Sequence, residues 1–403
     1  MKDELFYREL YLAKLRPFIG KDLIKIITGQ RRIGKSYILK QLIAEIERTV
    51  PKANIIYIDK ELEKFSGIRK SEDLHQYVTH HLVEGKENVL IVDEVQEIDS
   101  FQRCLRSLLN QQQCDIYCSG SNATMLSSEL ATLLAGRYIE VPIHSLSYPE
   151  FLEFNQLSTS KENLNLYLTI GGMPYQFHLG LDPNIVFEYL RSLYSTILLK
   201  DVVSRENIRN VSLLENLVSY LADNTGSLFS AQNISKYLKS QQINIPTQTV
   251  INYLKALTNA FFIHKVPRAD IQGLKIFEIG EKFYFEDLGL RNSIRTFNYR
   301  GDINKLMENA VYLHLLRNGY KVFVGKSGEK EIDFMGEKNG ERIYIQVAYQ
   351  LTDDKVIQRE FENLATISDN YPKYVITMDE IQPLNTYKGI RQLNLESFLS
   401  GSI

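Results

Sequence analysis

The sequence predicts an α/β chain: a parallel sheet flanked by helices near the N-terminus, a helical middle, and a second α/β region near the C-terminus. Three observations carry this. Apolar runs alternate with amphipathic stretches up to about residue 154, the pattern of β-α-β units. Residues 160–261 show mostly helical spacing. From about residue 303 an amphipathic stretch precedes "YKVFVG", "EIDFMGE" and "RIYIQVAY", with turns at "KSGEK" and "KNGE", which read as sheet strands.

In order, "LIKIIT" (23–28) is a buried strand, and 36–50 is a helix that Pro51 stops. "NIIYID" (54–59) is the second strand. A helix over 71–85 opens on Ser71 and acids and closes on Gly85. Strands follow at 88–94, 114–121 and 138–143, with a helix at 101–111 between the first two. In the middle, "GGMP" (171–174) punctuates the helices. Residues 227–266 read helix, short extended link, longer helix, strand, with Ser230 and Thr247 as caps, the layout of a winged-helix module. A helix around "DKVIQREFENLATI" and the strand "KYVITM" complete the C-terminal region.

The 403 residues exceed one ordinary core. The expected division is 1–155, a nucleotide-type domain; 156–225, a helical linker or lid; 226–300, the winged-helix-like module; and 301–403, the C-terminal α/β domain. Apolar residues make up 44% and charged residues 24%, a globular composition. A net charge of −2, from 47 cations and 49 anions, argues against a polycation that coats nucleic acid while allowing a local basic patch. Cys104, Cys114 and Cys118 show no CxxC spacing, so neither zinc nor a disulfide scaffold is expected, and a reducing compartment is. The charged start "MKDELFYREL" has no signal-peptide core. No run approaches the ~18 apolar residues of a membrane span. A cytoplasmic location with no membrane partner is the expectation.

Between the first strand and the first long helix lies "GQRRIGKS", a match to GxxxxGK[ST]. Glycines let the backbone curl around a phosphate where a Cβ would obstruct. The curled amides and the helix N-terminus aim partial positive charge at it. The nucleotide-binding stretch is expected to comprise Gly29, Gln30, Arg31, Arg32, Ile33, Gly34, Lys35, Ser36 and Tyr37. Lys35 would reach the β- and γ-oxygens of ATP, and the Ser36 hydroxyl would ligate Mg2+. Arg31 and Arg32 either brace the loop or meet acids elsewhere.

"VLIVDE" ends the third strand with two acids. Asp93 would hold Mg2+ through water and Glu94 would polarise the attacking water, which favours hydrolysis over transfer to a small acceptor. At the end of the fourth strand Ser119, Ser121 and Asn122 compete to sense the γ-phosphate. Asn122 is the expected catalytic contributor, and a helix cap is the alternative for Asn122 or Ser121. Arg137 could stabilise transition-state charge from its own chain or a neighbouring subunit, or form a surface ion pair.

"IKIITGQRRIGKSYILKQL", "VLIVDEVQEI", "LAGRYIEVPIHSLSYPEF", "YLTIGGMPYQ" and "LYSTILLKDVVSR", in this order, resemble the predicted AAA+-superfamily ATPases of bacteria and archaea. "KFYFEDLGLRNSI", "LMENAVYLHLLRNGYKV", "EIDFMGE" and "YIQVAYQL" are similar to the C-terminal domain of unknown function of those proteins. The resemblance covers nearly the whole chain. It implies an ATP-binding P-loop core, a winged-helix segment and a C-terminal fold like PD-(D/E)xK restriction-endonuclease-like nucleases. It also puts Gln96, in the "DEVQ" signature, near the site. Nucleases of that fold use an acid on the first helix, an Asp on one strand and Glu-x-Lys on the next. Here Glu308 and Asp333 match, but Gln346 replaces the acid and Ala348 the lysine, so cleavage is expected to be lost.

The reading is an ATP- and Mg2+-binding ATPase that acts as a nucleotide-driven switch, with a degenerate nuclease-like domain. One alternative is an ATP-dependent DNA-processing enzyme, since Thr247, Gln248, Thr249 and Asn252 can read base edges. The other is a nucleotide-gated scaffold that binds a protein without significant turnover. DNA or protein partners would meet the winged-helix and C-terminal regions. The oligomeric state is open.

Overall fold

The computed structural model describes residues 6–123, 134, 136–271, 273, 276, 280–295, 298–328, 330–351, 354–379 and 386–401. Two compact units emerge: one reaches His144 and includes Asn259–Phe261, and the other holds Ser145–Thr258 and Phe262–Ile403. The first unit thus ends before the expected boundary at 155.

The first unit is built from α1 (Glu9–Leu15), β1 (Ile24–Thr28), α2 (Lys35–Thr49), β2 (Asn54–Asp59), α3 (Ser71–His81), β3 (Asn88–Asp93), α4 (Phe101–Asn110), β4 (Asp115–Gly120) and β5 (Tyr138–Pro142). The five strands form one sheet in the order β2-β3-β4-β1-β5, and every pairing is parallel. All of β1 is buried, as a strand covered on both faces requires. Lys25 interrupts this apolar run and is fully buried. It ion-pairs with Asp115 and lies 4.9 Å from the centroid of the Tyr117 ring, so its charge is compensated inside the sheet.

Two helix ends differ from the sequence expectation because side chains set them. Asp73 reaches back to the backbone N–H groups of Arg69 and Lys70, each at 3.0 Å, so the cap of α3 is Lys70 and Ser71 is its first residue. The same helix stops at His81 because Leu82 turns extended. There the Asn88 side chain holds the Val83 N–H at 2.9 Å.

The second unit begins with α5 (Tyr148–Phe154), α6 (Lys161–Ile170), α7 (Pro183–Thr196), which runs on into a π-helical stretch Ile197–Ser204, and α8 (Val211–Asp223). Then come α9 (Ala231–Ser240), α10 (Thr247–Asn259), β6 (Ile263–Val266), β7 (Arg268–Asp270) and β8 (Lys282–Phe285). Ser230 caps α9, as expected. Thr247 opens α10 directly, and the Pro246 carbonyl accepts the N–H groups of Thr249 and Val250 at 3.0 and 3.2 Å. β6 and β8 pair antiparallel, and Phe229 bridges Glu281 beside them.

The chain continues through α11 (Leu288–Ser293), α12 (Tyr299–Arg317), β9 (Lys321–Ser327), β10 (Lys330–Lys338), β11 (Glu341–Val347), α13 (Asp354–Ala365), β12 (Lys373–Thr377), β13 (Thr386–Tyr387), β14 (Ile390–Asn394) and α14 (Leu395–Ser400). Its sheet runs β13-β14-β12-β11-β10-β9-β7. β9, β10 and β11 are antiparallel neighbours, and β12 joins β11 in parallel. No helix among the described residues is long and apolar enough to cross a membrane.

The "GGMP" punctuation has a packing cause. Gly171 sits at φ 77°, and a Cβ there would lie 2.4 Å from both Asp287 Oδ1 and the Gly289 nitrogen. Asp287 accepts N–H groups from Gly172 at 2.7 Å and Leu290 at 2.9 Å, which caps α11. Burial pushes its pKa up to about 6 against those two bonds. Gly171→Ala is expected to cost roughly 2 kcal/mol or more, from left-handed strain and a clash with a capping carboxylate. A urea denaturation midpoint of the full chain, compared with wild type, measures this.

Candidate functional site

β1 stops at Thr28 and α2 starts at Lys35, so the loop between them lies at the C-terminal edge of a parallel sheet, where open α/β sheets bind ligands. Gly29 adopts φ 146°, and a Cβ there would fall 2.4 Å from the Ile143 carbonyl oxygen. Gly34, at φ 96°, is the N-cap of α2 and brings no capping side chain. The first N–H groups of this 15-residue helix thus lack a side-chain cap, the kind of helix start that can accommodate an anion.

Lys35 is 4% exposed. Its ammonium donates to the Gln30 carbonyl at 3.1 Å and pairs with Glu94 Oε1 at 3.3 Å. The Gln30 side-chain amide is buried, and neither its nitrogen nor its oxygen has a partner, a costly state in a closed core. Arg31 meets Glu61 at 3.4 Å. Arg32 is exposed with φ 68°, Ile33 is fully buried, and Tyr37 is half-buried.

β3 carries Asp93 and Glu94 to the same edge. Burial raises the Asp93 pKa, opposed by hydrogen bonds from the Ser119 and Ser36 hydroxyls. Tyr57 also donates to Asp93, at 3.4 Å. Glu94 bends the chain with φ 54°, and its N–H donates to Ser119 Oγ at 3.1 Å. One serine on β4 thus fixes both acids, since its hydroxyl donates to Asp93. Burial works to raise the Glu94 pKa, but Lys35, Gln96, Arg31 and Ser121 outweigh it and hold the carboxyl at about 2. Gln96 donates to Glu94 and stands 3.3 Å from Ser121 Oγ, close to the acids as the "DEVQ" resemblance implies.

Of the three sensor candidates, Ser119 touches Asp93 and Ser121 donates to Glu94 at 3.1 Å. Asn122 is buried at the next position. Arg137 requires a correction. Its carbonyl accepts the N–H of Ile24 at 3.1 Å, and its guanidinium bonds Asn110. It therefore sits at the start of β1, the opposite sheet edge from Gly29–Ser36, and a catalytic role within its own chain does not fit.

Sequence reasoning missed Arg8. This buried residue donates to the Ile33 carbonyl at 3.1 Å and to the His144 carbonyl at 2.9 Å, so it ties the glycine loop to the end of the unit. Its own N–H bonds Gln41 Oε1 at 3.2 Å. One arginine outside any motif gave no local signal.

The oxygen donors fit a hard cation: the Ser36 hydroxyl and the Asp93 carboxylate are bonded to each other, and such a pair suits Mg2+.

In the second unit the structure does bring Glu308, Asp333 and Gln346 together. Gln346 Oε1 is 3.4 Å from the Asp333 N–H, and Val347 N–H donates to Asp333 Oδ2 at 2.9 Å. The missing lysine is corrected from elsewhere: Lys282 on β8 places its ammonium 2.7 Å from Glu308, 3.0 Å from Glu331 and 3.5 Å from Asp333. Burial works against the Lys282 charge, but the acids raise its pKa well above the usual lysine value. Burial pushes Glu308 up to about 7 against the pull of Lys282. The Tyr284 hydroxyl donates to Glu308 at 2.5 Å.

Residues 21–152 match the AAA domain family, and residues 161–300 match a domain of unknown function, DUF8612. The chain is 33% identical over 383 residues to an uncharacterized protein of Haemophilus influenzae, covering 94% of each. It is 30% identical over 376 residues to an uncharacterized protein of Methanocaldococcus jannaschii, covering 87% of this chain and 82% of that one. Solved structures align loosely. The Orc1 protein of Aeropyrum pernix in complex with DNA gives a TM-score of 0.33 at 11% identity, over 73% of this chain and 94% of that one. AMPPCP-bound DnaA from Aquifex aeolicus gives 0.32 at 16%, over 63% and 89%. Overlaps this low carry no functional weight.

Arg8→Ala is expected to lower stability by roughly 2–4 kcal/mol, because it leaves the buried Ile33 and His144 carbonyls without a charged donor. Chemical denaturation followed by circular dichroism reads this directly.

Proposed function

Because the chain belongs to the same family as these Haemophilus influenzae and Methanocaldococcus jannaschii proteins and carries an AAA domain at residues 21–152, we propose that it is a Mg2+-dependent ATPase of AAA+ type that works as a nucleotide-driven switch. The observation that carries this reading is the Lys35–Glu94 pair, 3.3 Å apart, beside Asp93 and Ser36 at the end of the parallel sheet.

In this resting arrangement Lys35 satisfies Glu94. An entering triphosphate offers Lys35 the β- and γ-oxygens, and the helix start at Gly34–Ser36 takes the remaining charge. Lys35 then leaves Glu94, which loses its largest charge-stabilising neighbour and becomes a stronger base for the attacking water. Gln96 and Ser121 keep the carboxylate aimed during this exchange. Ser36 and Asp93 would hold Mg2+, which neutralises charge developing on the phosphates. Gln30, with its buried unpaired amide, and Ile33, Arg31, Arg32 and Tyr37 complete the loop. Arg137 enters this reading only as a group offered to a neighbouring subunit.

The helix pair α9–α10 followed by the antiparallel pair β6–β8, with Phe229 as a third strand position, supports a winged-helix module within 226–300. It would relay nucleotide state, with 156–225 as lid or linker. The order α12, three antiparallel strands, α13, then parallel β12 supports a restriction-endonuclease-like domain over 301–403 that no longer cuts. One observation favours DNA as partner: Gln248 and Asn252 are exposed on α10 and hydrogen-bond each other at 3.1 Å, donors and acceptors available to base edges.

ATP turnover measured with and without DNA tests both readings. Glu94→Gln is expected to bind ATP as wild type does and to lose about 100-fold or more in turnover, and Lys35→Ala is expected to lose binding. Wild-type affinity in Lys35→Ala would refute the assignment, and turnover indifferent to DNA would remove the DNA reading.

A further inference from the structure

A restriction-endonuclease-like fold implies a divalent metal at the acids carried by its first helix and central strands. The residues at that place do not fit one. Glu308 on α12 and Glu331 and Asp333 on β10 converge on a single point, and the Lys282 ammonium stands there, within 3.5 Å of an oxygen from each.

We propose that Lys282 is the permanent cation of this acid pocket, standing where the fold would hold a divalent ion and closing the pocket to one. Magnesium needs oxygens at about 2.0–2.1 Å with near-octahedral placement, and an ammonium occupying the same three oxygens excludes that geometry and repels the ion. The surroundings make Lys282 hard to displace. It is 2% exposed, and among the described residues these three acids are the ones paired with its charge, so moving it would strand both signs in a low dielectric.

Glu308 Oε1 is already shared by Lys282 and the Tyr284 hydroxyl. Backbone closes over the same carboxylate at Gly226, where a Cβ would come within 2.9 Å of Glu308 Oε2. Asp333 Oδ2 is taken by the Val347 N–H. Both Lys282 and Tyr284 come from β8, outside the helix and strands that carry the acids. Strand β8 therefore supplies the plug. The inference deepens the proposal that cleavage is lost, and it gives the loss a cause beyond Gln346 and Ala348. It stands whether or not ATP is turned over.

Mn2+ binding by electron paramagnetic resonance, on the nucleotide-free full chain, provides the test. Wild type and Asp333→Asn should bind Mn2+ alike. Lys282→Met keeps the apolar stem and drops the charge. It should gain a site at least tenfold tighter than anything in wild type, and the Lys282→Met/Asp333→Asn double variant should lose it. Mn2+ binding in wild type that Asp333→Asn removes would overturn the proposal, and so would a folded Lys282→Met chain with no gain. If Lys282→Met does not fold alone, thermal melts with added Mn2+ decide: recovery of a cooperative transition supports the plug, and no recovery refutes it.

Discussion

A buried ammonium at a strand-to-helix turn must find compensation, and that requirement organises the first unit. Lys35 is buried in the loop, where an ammonium needs carbonyl and carboxylate oxygens beside it. Gln30 and Glu94 do so. To deliver Glu94, β3 must end beside β4, and β4 must place Ser119 and Ser121 under the two acids. The strand order β2-β3-β4-β1-β5 meets this need by lodging β4 between the strand of the loop and the strand of the acids. The left-handed backbone at Glu94 follows from the same demand, since the chain must turn sharply to offer the carboxylate back toward α2.

The second unit repeats the principle in a different setting. Lys282 is buried among three carboxylates, and the pocket exists because cation and acids are mutually indispensable. The two lysines differ in what surrounds them. Lys35 lies at a helix start whose N-cap, Gly34, brings no capping side chain. Lys282 is enclosed by Tyr284, Gly226 and acids from two elements.

Much of the first unit was legible because strands buried on both faces must be apolar runs: β2 matches the expected 54–59, and β1, β3, β4 and β5 fall within one or two residues of expectation. Lys35, Asp93 and Glu94 were legible because loop and acids each follow a strand at fixed local spacing. Side-chain caps were not, and Asp73 and Asn88 reset both ends of α3. Arg137 misled because its distance in sequence from β4 says nothing about which end of β5 it occupies. Lys282 escaped notice because a lysine was sought at the position Ala348 holds, whereas the charge comes from a strand 26 residues before Glu308. Tertiary compensation of charge leaves no periodicity to read.

Arg8 gives the short segment just ahead of α1 an importance its length does not suggest. Its guanidinium joins the middle of the glycine loop to the residue at which the first unit ends, and Phe6 and Arg8 are both held by Gln41. Leading residues of this kind are commonly trimmed or replaced by affinity tags during expression. Here such editing would unfasten a latch on the loop between β1 and α2, so the preparation of the protein would itself alter the property being assayed.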